Sequence, residues 1–507
     1  MNLNETLGAI MLFGMVAVIF VGFPISFTLL FLALVFGGFG LGLGQTFDLA
    51  YLQIWGTMKD EILPAVPLFI FMGYMTEQAG LMERLFGALR SLLAPVRGSL
   101  YLAVILTATI FAMATGIVGA AVTVLGIMAG PMMIKARYDG RLSSGAIAAG
   151  GTLGILIPPS VMLVVMGPTM GVPVNLLYSA AMGPGFVLAG CYIIYTLGRS
   201  LINPSLGPAM TREERDEAYH MMTTERVSFA VLTLGLLCVT VMAALLAYAI
   251  SGLFVSRSFT LGWAIPTAAV TAIAGWAYVT QPFFRAVMLG IAPLSALIGF
   301  TLGTILGGLA TPTEAASCGA FGALVLALIY GRLDLPSFKN ACTGTLTTTA
   351  MVLFLAVASN VFGAVFTKLG TASVITNSLI AMPLDDSWKL ALIMVLIFVL
   401  GWPFEWPAII LVFLPIFMPV IERLKFGGMT KLELLVWFGA LVAVNLQTAF
   451  LSPPVAMSAY YLKNVVPQWS LATIYRGMAD YMVIQCIVLL GLFFFPDIAL
   501  WLMRALR

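Results

Sequence analysis

The sequence predicts an all-α polytopic membrane protein, interrupted in two corresponding places by re-entrant hairpins and broken helices. Three observations predict it. Of 507 residues, 61% are hydrophobic and only 9% charged, whereas an ordinary soluble domain carries roughly a quarter charged residues. Apolar runs of the length that crosses a hydrocarbon core, about 20 residues, recur along the whole chain. Adjacent prolines interrupt two of the apolar regions, at Pro158 and Pro159 and again at Pro453 and Pro454.

In chain order the apolar runs cover 7–43 (two spans parted near Gly22 and Pro24), 100–114, 176–197, 229–253, 261–278, 287–309, 315–330, 350–366, 390–400, 408–420 and 483–503. With the re-entrant pieces set aside, they predict about 10 to 14 spans. Lys59, Asp60 and Glu61 mark a membrane boundary, Arg84, Arg90 and Arg97 fit an amphipathic surface helix, and Lys368 is placed to snorkel. A porin-type barrel needs alternating apolar and polar residues, and these runs are apolar on every face. The stretch 7–39 lacks the positive leader and the cleavage pattern of a signal peptide, so it reads as the first two spans.

The remaining composition excludes several chemistries. Cys191, Cys238, Cys318, Cys342 and Cys486 lie in apolar segments without metal-type spacing, which predicts small core residues. His220, the only histidine, sits in the polar stretch 199–226, read as an exposed linker between two apolar parts. The net charge of +3 is too small to imply nucleic-acid or acidic partners.

A repeat is centred on the paired prolines. GTLGILIPPSVML at 151–163 and LQTAFLSPPVAMS at 446–458 share four identities in thirteen aligned positions. Each follows an apolar segment broken by helix-unfriendly residues, ATGIVGA at 114–120 and GWPFEWP at 401–407, then a proline-containing apolar stretch and a short charged turn. Each proline removes a backbone donor and clashes with the preceding turn, and it pushes the residue before it out of helical angles. Lipid cannot satisfy the freed backbone groups, so such breaks persist only where they are buried in protein or line a wet cavity. The upstream segments read as tips of hairpins that enter the membrane and turn back.

The predicted organisation is a first repeat over 1–200, with a hairpin near 100–134 and a broken helix near 143–170. A linker and two extra spans occupy 201–280. The second repeat covers 281–507, with a hairpin near 388–420 and a broken helix near 434–462. Broken helices in corresponding positions of two halves point to a transporter's ligand site, whose half-helix N-termini present amides to anions and whose C-termini attract cations. The plainer reading is two proline kinks with no ligand. Positive charge orients the chain ambiguously: Lys135, Arg137 and Arg141 favour the cytoplasm for the first charged turn. An inverted repeat then puts Arg423, Lys425 and Lys431 outside, against that rule.

At these residues the chain resembles the large membrane subunit of tripartite ATP-independent periplasmic (TRAP) transporters. The resemblance is carried by FAMATGIVGAAVTVLG at 111–126, GTLGILIPPSVM at 151–162, GGLATPTEAAS at 307–317, FEWPAIILVFLPIFMPV at 404–420 and NLQTAFLSPPVAMSAY at 445–460. It implies an inverted-repeat, elevator-type carrier in the bacterial inner membrane, usually sodium-coupled. A periplasmic binding protein would deliver an organic acid substrate, a small membrane subunit would complete the scaffold, and no cofactor other than the coupling Na+ is implied. One ion site is similar to Thr115, Gly116 and Gly119 facing Gly151, Thr152 and Gly154. The other is similar to Pro403 and Glu405 facing Asn445, Gln447 and Thr448. Hard cations prefer such oxygens.

Ile117 and Ala121 stand where the family commonly has a serine and an acidic residue, and Glu405 where it commonly has aspartate. Proton coupling is therefore the alternative. Ser160, Ser452 and Ser458 at the breaks are candidate substrate contacts, with Asn175 a weaker one; each could instead be a structural hydroxyl. Glu314 in TPTEA reads equally as a first-turn carboxylate beside a Thr311 or Thr313 cap. No GxxxxGK[ST] nucleotide motif occurs. No membrane segment supplies an Asp dyad, a serine with a basic partner or a zinc motif, so an enzyme is not expected. A membrane subunit of an ion-translocating complex is the other competing reading.

Overall fold

The computed structural model describes residues 2–116, 118–210, 232–233, 235–237, 274–453 and 456–506. Among these residues every regular element is helical. Most of the predicted spans at 229–253 and 261–278, most of the polar linker, His220 and Cys238 lie outside them.

The first part comprises α1 (Leu3–Phe20), α2 (Ile25–Gly40), α3 (Leu43–Met58), α4 (Ala65–Gln78), α5 (Leu81–Leu93), α6 (Ser99–Thr115), α7 (Val118–Lys135), α8 (Gly140–Leu156), α9 (Val161–Met170) and α10 (Val174–Ile202). After the linker come α11 (Pro282–Leu306), α12 (Pro312–Ile329), α13 (Leu335–Lys368), α14 (Thr371–Ala381) and α15 (Asp386–Leu400). The chain closes with α16 (Trp406–Ile421), α17 (Lys431–Leu451), α18 (Met457–Val465), α19 (Leu471–Phe494) and α20 (Asp497–Leu506).

Among the described residues eight helices are long and apolar enough to cross a membrane, or nine if α8 and α9 form one bent span. That is fewer than the sequence predicts, partly because α2, at 16 residues, is short and most of two expected spans lies outside the described residues. The chain is a multi-pass membrane protein.

Burial does not follow hydrophobicity. Helices α1 and α17 have nearly the same mean hydropathy, 1.8 and 1.9, yet 17% of the α1 window is buried against 94% for α17. Every residue of α8 from Leu142 to Leu156 is buried, although that helix is rich in glycine, serine and threonine. Lipid solvates the apolar faces as well as a protein core would, so the polar and small residues collect inside.

The packing of the two parts is exchanged. Helix α8 packs on α19, while α17 packs on α10; arm α7 lies on α18, while arm α16 lies on α9. Glycines set the α8–α19 spacing. A Cβ on Gly477 would lie 2.1 Å from the Arg141 carbonyl oxygen, and one on Gly145 would lie 2.7 Å from that of Gly477. Arg141 then reaches Asp480 with both nitrogens of its fork, one at 3.0 Å.

Helix starts follow local chemistry. Thr311 and Glu314 form a reciprocal capping box at α12, the Thr311 amide donating to the carboxylate at 2.8 Å, which is the plain structural role expected for Glu314. Thr430 and Glu433 do the same at α17, and Asp334 accepts from the Ser337 amide at 2.8 Å to start α13. At 34 residues α13 is twice as long as the apolar run that predicted it, because its first half carries Lys339, Asn340 and a threonine cluster.

Arg84 and Arg90 fall on the amphipathic α5, as predicted, with Arg97 just beyond it. The cysteines do not behave as core residues: Cys318 is exposed, and Cys191, Cys342 and Cys486 are half-buried. In lipid a thiol escapes water without protein around it.

Candidate functional site at two broken helices

The first break runs from Ile157 to Ser160. Both residues are extended, and α8 and α9 meet at 42°. Prolines supply no donors here, and the carbonyl freed at Ile155 accepts from the Ser160 hydroxyl. Tyr178 donates to the Ser160 carbonyl at 3.4 Å. Ser160 is thus engaged with main chain, and it precedes the first amides of the ten-residue α9, a positive dipole end.

The second break begins at Ser452, which is extended and whose amide donates to Thr448 at 2.9 Å. Pro454 and Val455 are not described. Ala456 has a φ of +28° and leads into α18. The hydroxyls of Ser452 and Ser458 are buried, and neither has a hydrogen-bond partner among the described residues. Asn175 accepts from the neighbouring Leu176 amide at 3.0 Å, a local role.

Each helix pair upstream closes against a break. Thr115 ends α6 and Gly116 turns the chain with a φ of +60°. A Cβ there would lie 3.4 Å from the Val161 amide nitrogen and 3.9 Å from the Pro159 carbonyl oxygen, so the first tip rests on the first break. Gly151 allows α8 to meet α7: its Cβ would come within 2.4 Å of the Val122 side chain. Gly154 is buried on the same helix.

At the second tip, residues 401–404 form the turn. Gly401 abuts Ala449 near the end of α17, at 3.1 Å from a built Cβ, and Pro403 is half-buried there. Glu405 is the extended N-cap of α16, and its carboxylate makes no capping hydrogen bond. A π-helical turn at Ile409–Phe413 follows, a local irregularity frequent at functional sites.

The two predicted ligand sets meet. Gln447 donates through Nε2 to the Thr152 carbonyl at 3.0 Å, and Thr152 donates its hydroxyl to Ala149 at 2.8 Å. Asn445 donates through Nδ2 to Met394 at 2.7 Å, tying α17 to α15, and Thr448 donates back to Asn445 at 2.7 Å. Asn445 Oδ1 and Gln447 Oε1 are buried without a hydrogen-bond partner among the described residues. Among those residues no group of three His, Cys, Asp or Glu side chains is placed to hold a metal ion; apart from the Glu405 carboxylate, the predicted sets offer neutral oxygens.

Two residues escaped the sequence reading. Gln485 of α19 is fully buried and lies 3.4 Å from the Thr152 hydroxyl; nothing in its apolar surroundings announces it. Tyr461 of α18 packs on the first tip, its ring 3.0 Å from a Cβ built on Gly119. Its hydroxyl also lies within electrostatic range of Glu405 and Tyr74. Its place a few residues after the second break was the available signal.

The sequence profile described as "Tripartite ATP-independent periplasmic transporter, DctM component" matches residues 12–272 and 278–498. The chain belongs to this family. It is a TRAP transporter large permease subunit, a secondary transporter component and not an enzyme. A sialic acid TRAP large permease from Vibrio cholerae is 26% identical over 97% of both chains. A C4-dicarboxylate TRAP large permease from Pseudomonas aeruginosa is 23% identical over 89% of this chain and 88% of its own. The fold of the TRAP permease is similar to that of the Alcanivorax borkumensis YdaH transporter, with a TM-score of 0.54 at 15% identity over 90% and 89% of the two chains.

Proposed function

We propose that this TRAP large permease imports small organic acid anions across the bacterial inner membrane, driven by a sodium gradient. A periplasmic binding protein delivers the substrate, and a small membrane subunit completes the scaffold. The relatives named for sialic acid and C4-dicarboxylates support a carboxylate substrate. The exchanged packing of α8 with α19 and α17 with α10 supports an inverted repeat, with repeats over 1–200 and 281–507 flanking the 201–280 insertion.

The observation that carries the reading is the Gln447 to Thr152 bond between the two broken helices, beside the buried, unpartnered oxygens of Asn445, Gln447 and Ser452. Neutral carbonyl, amide and hydroxyl oxygens suit a hard monovalent cation. In this reading Gly116, Gly119, Gly151, Gly154, Pro403 and Thr448 shape the two ion sites, and Thr115 and Glu405 bound them. The N-terminus of α9 with Ser160, and Ser452 with Ser458, face the anion. The breaks and tips move together as an elevator against α1, α2, α11 and α12. A proton-coupled carrier is the second reading, favoured by the uncapped carboxylate of Glu405.

The deciding experiment is uptake into proteoliposomes holding both membrane subunits, with the binding protein added outside. Uptake that follows an imposed sodium gradient supports the reading. Uptake driven equally by a proton gradient without sodium, and abolished in Glu405→Gln, favours the second. Transport without the binding protein overturns the tripartite assignment.

A further inference from the structure

Away from the breaks, a cavity of about 840 Å³ lies between the end of α4, the amphipathic α5, the arm α7, the start of α11 and the link from α12 to α13. Its charged lining is mixed. Glu77 comes from α4, Glu83 and Arg84 from α5, and Arg285 and Arg332 from α11 and the link; Arg84 lies over the Tyr330 ring at 4.9 Å. Four of these five, Glu77, Glu83, Arg285 and Arg332, make no ion pair with one another. Glu77 Oε2 is buried without a hydrogen-bond partner among the described residues. Among those residues no carboxylate lies within ion-pair distance of Arg285 or Arg332.

An uncompensated buried carboxylate oxygen is costly, so the arrangement favours a guest that brings both signs. Apart from Gln78, the uncharged lining is apolar or glycine. Ile127 and Met128 of α7 contribute to it, and Ile127 is 55% exposed.

We propose that this cavity binds the headgroup of an aminophospholipid, its phosphate taken by Arg285 and Arg332 and its primary ammonium by Glu77 and Glu83, with acyl chain along Ile127 and Met128. Guanidinium groups match phosphate oxygens, and basic pockets between membrane helices take lipid headgroups. The carboxylates set the selectivity. Phosphatidylglycerol offers no ammonium, and phosphatidylcholine offers one without an N–H to donate. The lipid would wedge α7 against α5 and α11.

The test is lipid retention by the delipidated full-length chain, read by native mass spectrometry after incubation with phosphatidylethanolamine, phosphatidylcholine or phosphatidylglycerol. We expect retention of phosphatidylethanolamine to exceed that of either other lipid by about tenfold, the loss expected when one charge-assisted hydrogen bond goes unmade. Glu77→Gln should erase the preference over phosphatidylcholine, and Arg332→Gln should lower retention of all three. Equal retention of the three by the wild-type chain overturns the proposal, whatever the variants do, and so does a preference that survives in Glu77→Gln. Displacement of the lipid by an equal concentration of water-soluble glycerophosphoethanolamine overturns a lipid as the source of the headgroup.

Discussion

The Gln447 side-chain amide donates to the main-chain carbonyl of Thr152 at 3.0 Å, and with this bond α17 holds α8 about one turn before the C-terminal end of each helix. Both residues are 0% exposed, so neither has water as an alternative partner. Replacing Gln447 by leucine would orphan the Thr152 carbonyl, at about 1–3 kcal/mol. We expect a lower thermal unfolding midpoint in detergent together with loss of uptake. Unchanged values of both would remove the bond from the account.

Gly116 turns the chain with a φ of +60° directly over the first break. Alanine there pays the left-handed penalty of about 1–2 kcal/mol and brings a methyl to 3.4 Å from the Val161 nitrogen. Uptake by Gly116→Ala should fall severalfold. Gly56 of α3 has nothing within 4 Å of a built Cβ, so Gly56→Ala should transport normally and serves as the matched control.

Gly119→Ala pushes a methyl into the Tyr461 ring, 3.0 Å away, and displaces a side chain that feels the charge of Glu405. We expect a raised KM for substrate with little change in thermal midpoint. Combining it with Tyr461→Ala should be non-additive, because the clash vanishes with the ring. Additive effects on KM would show that the two do not communicate.

Arg141 and Asp480 fasten the outer end of α8 to α19 through a forked ion pair, with side chains 48% and 21% exposed. Solvent screening limits such a pair to under about 1 kcal/mol. Arg141→Gln should therefore lower the midpoint by only a few degrees, less so at high salt, and the Arg141→Asp with Asp480→Arg exchange should restore most of it. A large loss from Arg141→Gln would show that the residue acts in transport.

Much of this was legible because the bilayer makes one rule dominant. A chain without water around it must satisfy its backbone internally, so apolar runs read as helices, and prolines within them read as breaks that something must cover. The Thr311 and Glu314 capping box was equally legible, since its partners are three residues apart.

Hydrophobicity also misled, because it ranks residues by dislike of water and says nothing about which face meets lipid. The cysteines were expected in the core, and the four described ones lie partly or wholly outside it, and the polar first half of α13 went unseen within a 34-residue helix.

By itself, then, the sequence determined that the chain is a membrane protein with two matched breaks and a set of oxygen-bearing residues around each. Only the tertiary structure decided that the two broken helices touch. Gln447 and Thr152 stand 295 positions apart, and Tyr461 and Gly119 more than 340. No local pattern encodes such pairings; they arise because exchanged packing brings the second break's helices onto the first part's, where buried polar groups can be satisfied only by each other.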